Sequence, residues 1–186
     1  MKTFINFIIF ITLLFLPIIV IGQNNDSGKL TSKVYRLNFL NPGFEIEFPV
    51  SSRFTFSANA GVGYGGAYPN LTRADNGFVY IISPFIDLQF KRFYNLEKRL
   101  DNGKSIKNNS GNFLSARLLW RGSSIDDNVI RSTQNDFSFS ATWGIQRNYG
   151  KFHLLFDLGP EIYWDTEGTS GFFPINPQIN IGIDLN

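Results

Sequence analysis

The sequence RFTFSANAGVGYGG, at residues 53–66, alternates between two kinds of side chain. Every second position is apolar or aromatic: Phe54, Phe56, Ala58, Ala60, Val62 and Tyr64. The positions between them are small and mostly polar: Thr55, Ser57, Asn59, Gly61, Gly63 and Gly65. Because successive side chains of a β-strand point to opposite faces, this period predicts a strand with one apolar face and one polar face that lacks bulk.

The same period of two recurs along the rest of the chain. The other segments are KVYRLNFL (33–40), FEIEFPV (44–50), FVYIISPFIDLQF (78–90), NFLSARLLW (112–120), DFSFSATWGIQ (136–146), FHLLFDLGPEIYW (152–164) and NPQINIGIDLN (176–186). Residues 33–49 could also be one long strand, which would leave seven strands in all. We divide this segment at the turn signal Asn41-Pro42-Gly43, because an even number of strands places both ends of a barrel on the same side. The polar stretches 66–77, 121–135 and 166–171 are predicted loops.

The distribution of charge decides which face is outside. The apolar faces are almost free of charge, whereas the opposite faces carry Arg36, Glu45, Glu47, Asp87, Arg117, Asp157, Glu161 and Asp184. Aromatic residues gather near strand ends, as an interfacial girdle requires: Tyr64, Phe78, Trp120, Phe137, Phe152 and Trp164. Residues 33–186 are therefore predicted to form an all-β, eight-stranded, antiparallel up-and-down transmembrane β-barrel. Side chains just fill the interior of such a barrel, which argues against a general porin.

The N-terminus has the form of a secretory signal peptide over residues 1–22. Lys2 is the positive head, residues 8–21 form the apolar run, and the small residue Gly22 precedes Gln23. The alternative is an uncleaved membrane helix. Residues 23–32 are predicted to form a polar, flexible leader. The predicted location is the cell outer membrane, after export by the cleaved signal.

Composition excludes several classes of function. The chain has no cysteine and therefore no disulfide or thiolate metal site. Its 17 basic and 15 acidic residues nearly balance, so nucleic acid is not indicated as a partner.

Strand pattern, signal peptide and alternating loop lengths together resemble the small eight-stranded outer-membrane β-barrel proteins of Gram-negative bacteria, such as the OmpA transmembrane domain and OmpX. The resemblance covers about residues 33–186 and implies an architecture rather than an activity. In this family the insertion machinery reads an aromatic last residue, whereas this sequence ends in Leu185 and Asn186. Wall anchoring of the OmpA kind, which uses a further domain after the barrel, is therefore not expected.

His153, Asp157 and Glu161 share one face of their strand at steps of four residues. A lipid hydrolase would need a histidine, a serine and an acid that converge, and a metal site would need ligands closer than about 13 Å per step of four. We interpret the three residues as part of a structural network in the lumen. No catalytic, cofactor-binding or metal-binding residue is assigned.

Three other features have competing interpretations. A basic connector carries Lys91, Arg92, Lys98, Arg99, Lys104 and Lys107. We interpret it as a solvated turn with one helical turn that has Leu96 and Leu100 on one face, rather than as a docking site for a partner or lipid phosphates. Pro84 and Pro160 lie in mid-strand and are interpreted as β-bulges rather than as a lateral seam for an acyl chain.

The leading functional hypothesis is an outer-membrane barrel without catalytic activity that serves envelope structure or surface interaction. Its predicted partners are outer-membrane lipids, the insertion machinery through the C-terminal strand, and an unknown surface ligand at loops 66–77 and 121–135. The alternatives are a lipid-acting outer-membrane barrel enzyme and a soluble periplasmic barrel that binds a lipid or another ligand.

Overall fold

The computed structural model describes residues 30–31, 33–64, 80–128 and 133–185. The predicted signal peptide, most of the leader and the loop 66–77 lie outside the described residues. Within the described ranges, no helix is both long enough and apolar enough to cross a bilayer.

The fold is all-β, with nine strands in the described residues. They are β1 (Val34–Asn38), β2 (Gly43–Pro49), β3 (Phe54–Tyr64), β4 (Ile81–Phe93), β5 (Gly111–Arg121), β6 (Asp126–Asp127), β7 (Asp136–Tyr149), β8 (Phe152–Asp165) and β9 (Ser170–Asp184). One short helix, α1 (Leu96–Asp101), and a 3₁₀ turn at Lys107–Asn109 lie between β4 and β5.

Eight of these strands form a closed ring. Each pairs antiparallel with the next long strand along the chain, and β9 pairs back onto β1, with Leu37 opposite Ile183. The two-residue β6 pairs with β4 and adds no member to the ring. The division of residues 33–49 at Asn41-Pro42-Gly43 is confirmed, because residues 39–42 form a turn between β1 and β2. The predicted loop 166–171 is too long: β9 begins at Ser170, which pairs with Trp164.

Most polar side chains point into the ring and most apolar side chains point out of it, with exceptions such as the buried Phe85, Phe93 and Phe113. In β2, Glu47 is 0% exposed whereas Phe44 is 48% exposed. In β5, Ser115 is 3% exposed whereas Leu114 and Leu118 are each 41% exposed. The predicted orientation of the two faces is therefore confirmed, and it is the reverse of the arrangement in a water-soluble barrel.

The ring has two unlike ends. Turns 50–53 and 150–151, residues 94–110 and both ends of the described chain lie at one end, which we call the connector end. Turns 39–42 and 166–169 and residues 122–128 and 133–135 lie at the other, the loop end. Strand β3 ends and β4 begins at the loop end.

The two mid-strand prolines differ. At Pro160 the register between β8 and β9 shifts, because one residue of β8 lies opposite two residues of β9. The predicted bulge is confirmed there. At Pro84 the register with β3 is unbroken, with Val62 opposite Pro84, and the irregularity lies on the other side, where residues 83–84 face residues 122–125. The carbonyl of Pro84 accepts a hydrogen bond from the Gly122 N–H (3.0 Å), so its missing N–H faces the side on which pairing passes from β5 to β6.

Residues 94–110 close the connector end. Leu96 is 4% exposed and packs in an apolar cluster with Leu30, Phe93, Phe113 and Leu155. Leu100 is 38% exposed, so the two leucines do not share an equally buried face. The predicted solvated turn is therefore wrong for this part of the connector.

Three of the connector's basic and polar residues are buried rather than solvated. Lys91 belongs to β4 and is 0% exposed inside the ring, whereas Lys98, Lys104 and Lys107 are exposed as predicted. Asn108 and Asn109 are buried and have φ angles of 49° and 62°. Asparagine is among the few residues that adopt this left-handed conformation readily, which lets the chain turn back into the ring.

Candidate functional site

A cluster of charged side chains fills the connector half of the ring. The guanidinium of Arg36 donates through Nη1 to Glu45 (2.9 Å) and Glu47 (2.6 Å) and through Nε to Asp184 (3.0 Å). The Nζ of Lys91 lies 3.6 Å from Glu47 and 3.8 Å from Glu45. These five side chains, which we call the Arg36 cluster, are at most 5% exposed.

Neutral groups complete the hydrogen bonding of the Arg36 cluster. Gln146 accepts from Lys91 (3.0 Å) and donates to Glu47 (3.0 Å). Asn108 of the connector donates to Asp184 (2.6 Å), and its backbone carbonyl accepts from Arg36 (3.2 Å). Charges removed from water are tolerated only when they are paired and hydrogen-bonded, so this network holds the ring and the connector together.

The inward, polar position of Gln146 follows from the alternation in 136–146, whereas the burial of Lys91 and Asn108 was not predicted. Lys91 could have been found, because it continues the inward positions Asp87 and Gln89 of β4 at steps of two. No sequence pattern distinguishes Asn108 from the other polar residues of the connector.

The structure places His153, Asp157 and Glu161 on the inner face of β8, as predicted, but does not bring them together. His153 is 0% exposed and lies at the connector end, where its Nδ1 is 3.5 Å from the Asn148 amide nitrogen. Its Nε2 has no hydrogen-bond partner in the described chain. The three residues occupy successive depths of the lumen and have different neighbours.

A second polar cluster lies between mid-ring and the loop end. Arg117 donates to Asp87 through Nε (2.9 and 3.0 Å) and Nη2 (2.8 Å), a two-nitrogen contact that holds both side chains in place. Asp157 accepts from Gln89 through Oδ2 (3.0 Å), and its Oδ1 has no partner in the part of the chain that the structure describes.

A cavity of about 300 Å³ opens beside this second cluster at the loop end. We call it the loop-end cavity. It is lined by Asn41, Arg117, Leu119, Arg121, Glu161, Phe173, Asn176, Pro177, Gln178 and Ile179. Glu161 is 6% exposed, and its carboxylate makes no hydrogen bond or ion pair with any described residue. The Gln178 Oε1 is likewise buried and unpartnered within the described ranges.

The predicted binding loops are described only in part. Residues 66–77 lie outside the described residues. Within 121–135, Asp126 and Asp127 form β6 against β4, and Asp126 accepts a hydrogen bond from the Tyr80 hydroxyl (3.3 Å). The negative charge of Asp126 raises the pKa of Tyr80. Among the described side chains, no three His, Cys, Asp or Glu residues are grouped as a metal site would need.

The chain was also compared with known proteins. No protein-family model, no curated protein and no solved structure matches it. The geometry of the ring and its cavity is therefore what supports a function.

Proposed function

We propose that this protein is a transmembrane β-barrel of the outer membrane, without catalytic activity, whose wall contacts lipid and whose loop end faces the surroundings of the cell. The observation that carries the proposal is the polarity of the ring. Fully buried charges line its interior, and large apolar side chains cover its exterior.

If the outer face of the ring were in water, the exposure of its large apolar side chains would be unfavourable. Ile86 and Phe90 of β4 are 45% and 39% exposed, and Ile179 of β9 is 50% exposed. Each square ångström of apolar surface left in water forgoes roughly 25 cal/mol. Contiguous apolar surface on this scale is typical of a face that contacts a partner or a membrane.

Backbone geometry supports the same environment. Within hydrocarbon every backbone N–H and C=O group needs an internal partner, and only helices and closed rings of strands provide this. The β1–β9 pairing closes the ring near its connector end, where Arg36–Asn38 lie opposite Gly182–Asp184. Strands β4, β5 and β7 have 13, 11 and 14 residues. Each is long enough to cross a bilayer, because a tilted strand needs roughly 9–11 residues to do so.

The interior supports a structural or surface-interaction role rather than a pore. The Arg36 cluster and the apolar residues around Leu96 fill the connector half of the ring. The predicted signal peptide and the resemblance to OmpA-like and OmpX-like barrels support the outer membrane as the location, with lipids and the insertion machinery as partners. No contact of His153 favours a lipid-acting enzyme, and the outward apolar face argues against a soluble binding barrel.

A pair of leucine substitutions tests the proposal. Leu88 points outward next to the midpoint of β4, whereas Leu100 is an exposed residue of α1 outside the wall. In lipid vesicles, Leu88→Lys is expected to lower the free energy of unfolding by about 2–4 kcal/mol, the cost of a lysine near the bilayer midplane. Leu100→Lys is the control and should change it little.

The measurement is reversible urea unfolding of the full chain in vesicles, followed by tryptophan fluorescence and by gel mobility without boiling. Equal, small effects of the two substitutions would contradict a lipid-facing wall, because both leucines would then be ordinary surface residues.

A further inference from the structure

The polar atoms without a hydrogen-bond partner around the loop-end cavity are oxygens. The Glu161 carboxylate and the Gln178 Oε1 line the cavity. Asn59 and Asn180 line the adjoining space beneath it, and each has a buried side-chain oxygen without a partner in the described residues. All are hydrogen-bond acceptors, and an ionised carboxylate remains one in any orientation.

The cations at the cavity are already engaged. Arg117 gives two of its nitrogens to Asp87, and Arg121 also has an interaction partner. Glu161 is the carboxylate there that lacks a bonded partner among the described side chains. A carboxylate that lines a cavity without a bonded partner is best complemented by a hydrogen-bond donor with positive charge rather than by another acceptor.

The charged side chains near the cavity also carry an excess of negative charge. Asp87, Asp157 and Glu161 face the same part of the lumen as Arg117, and both Asp157 and Glu161 act electrostatically on the Arg117 guanidinium. Three acids and one base leave two negative charges, and Arg121 at the cavity reduces this excess to one.

From the cavity, its unpartnered acceptors and its excess negative charge, we propose that the loop-end cavity binds a small organic cation that bears N–H donors, such as a primary amine, with Glu161 as its counter-ion and Gln178 as a second acceptor. The cavity volume of about 300 Å³ accommodates a molecule of several non-hydrogen atoms. This goes beyond the proposed function, which names no ligand, and it requires the folded ring but not a particular membrane.

The test uses the full chain folded in detergent micelles and putrescine, a diamine, as the probe. Isothermal titration calorimetry should show saturable binding of putrescine. It should show none of 1,4-butanediol, which has the same length but no charge, or of succinate, which has the opposite charge. Sodium chloride at the same ionic strength should not displace the amine.

Two variants assign the binding to Glu161 and Gln178. Glu161→Gln keeps the side-chain volume and should weaken putrescine binding at least about tenfold, as expected for loss of a charge-assisted hydrogen bond. Gln178→Met removes the acceptor and should weaken it severalfold. Glu97→Gln, at the opposite end of the ring on α1, is the matched control and should bind as the wild type does.

The same titrations can overturn the proposal. It fails if putrescine does not bind to the folded wild-type chain, if succinate binds in its place, or if Glu161→Gln and Gln178→Met both bind as tightly as the wild type. Displacement by equimolar sodium would show an inorganic cation site and would equally contradict it. Gel mobility without boiling confirms that each sample is folded, so a loss of binding is distinguished from a failure of the ring to form.

Discussion

Arg36 is the residue on which the interior of the ring depends most. It is 0% exposed and bonds to three carboxylates that come from β2 and β9. Removing one member of a buried ionic network leaves the others without compensation, and this cost exceeds the net stabilisation of the network itself. Arg36 therefore supplies the positive charge that allows the carboxylates of Glu45, Glu47 and Asp184 to be buried close together.

We expect Arg36→Met to lower the free energy of unfolding by about 3–5 kcal/mol, because it leaves three buried carboxylates with Lys91 as their main counter-charge. The control is Arg53→Met. Arg53 pairs with Glu97 at 2.7 Å, but the two side chains are 36% and 50% exposed, so its loss should cost less than about 1 kcal/mol. Urea unfolding in detergent measures both. Similar losses of unfolding free energy in the two variants would show that the Arg36 cluster matters no more to stability than an exposed ion pair does.

The inward or outward orientation of some residues could be predicted from the sequence, and that of others could not. Alternation predicted the inward positions of Glu45, Glu47 and Asp157 because each is polar between apolar neighbours. It missed the inward Phe113 and Leu155, because an apolar residue on the inner face looks like an interruption of the pattern. Their burial becomes understandable only when the connector is seen to supply Leu96 as their packing partner.

At the scale of elements, the connector between β4 and β5 is the largest departure from expectation. Its basic residues predicted a solvated turn, and Lys98, Lys104 and Lys107 are indeed exposed. Its charge gave no indication that Asn108 would enter the ring and bond to Asp184 across 76 residues of sequence. Such long-range contacts depend on the closure of the ring, which local sequence does not encode.

Strand boundaries were predicted well where a turn residue interrupts the alternation. Asn41-Pro42-Gly43 is one example, and close contacts with β3 hold this turn in place. The Pro42 carbonyl accepts from Val62 N–H (2.8 Å), and a Cβ on Gly61 would lie 2.0 Å from that carbonyl oxygen. The start of β9 was missed: the predicted strand begins at Asn176, whereas β9 begins at Ser170 and contains the irregular pairing opposite Pro160.

Leu96 allows a direct test of the connector. We expect Leu96→Ala to lower the free energy of unfolding by about 2–5 kcal/mol, since it opens a void among Phe93, Phe113 and Leu155. Leu100→Ala on the same helix has the same chemistry at an exposed site and should stay within about 0.5 kcal/mol of the wild type. Thermal unfolding followed by circular dichroism compares them. An equal effect of both substitutions would mean that the connector does not plug the ring.

At the scale of the whole molecule, buried side chains fill the connector half of the ring, and the loop-end cavity lies in the other half. The fully buried side chains of Arg36, Lys91, Glu47, Gln146 and His153 occupy the lumen below the cavity. An eight-stranded ring has room for little more than its own side chains. Among the described residues, the lumen has open space in the loop-end cavity, where the proposed cation would bind, and in the adjoining space beneath it.

We therefore expect no sustained ohmic current steps when the purified chain is inserted in a planar lipid bilayer. Arg36 and its partners would have to leave their positions before a continuous water column could form. A general porin measured under the same conditions is the positive control. Steady steps of porin size from the folded chain would contradict the filled lumen.

The central claim is that the apolar exterior lies in hydrocarbon, and the absence of native cysteine allows it to be measured directly. Nitroxide labels at Ile86→Cys, Leu88→Cys and Phe90→Cys report the outer face of β4, and a label at Tyr149→Cys reports the last residue of β7, next to the turn at the connector end. In vesicles, electron paramagnetic resonance should show high accessibility to oxygen and low accessibility to a water-soluble nickel complex at the three β4 positions, and the opposite at Tyr149→Cys. Nickel accessibility as high on β4 as at the turn would place the wall in water and contradict the account.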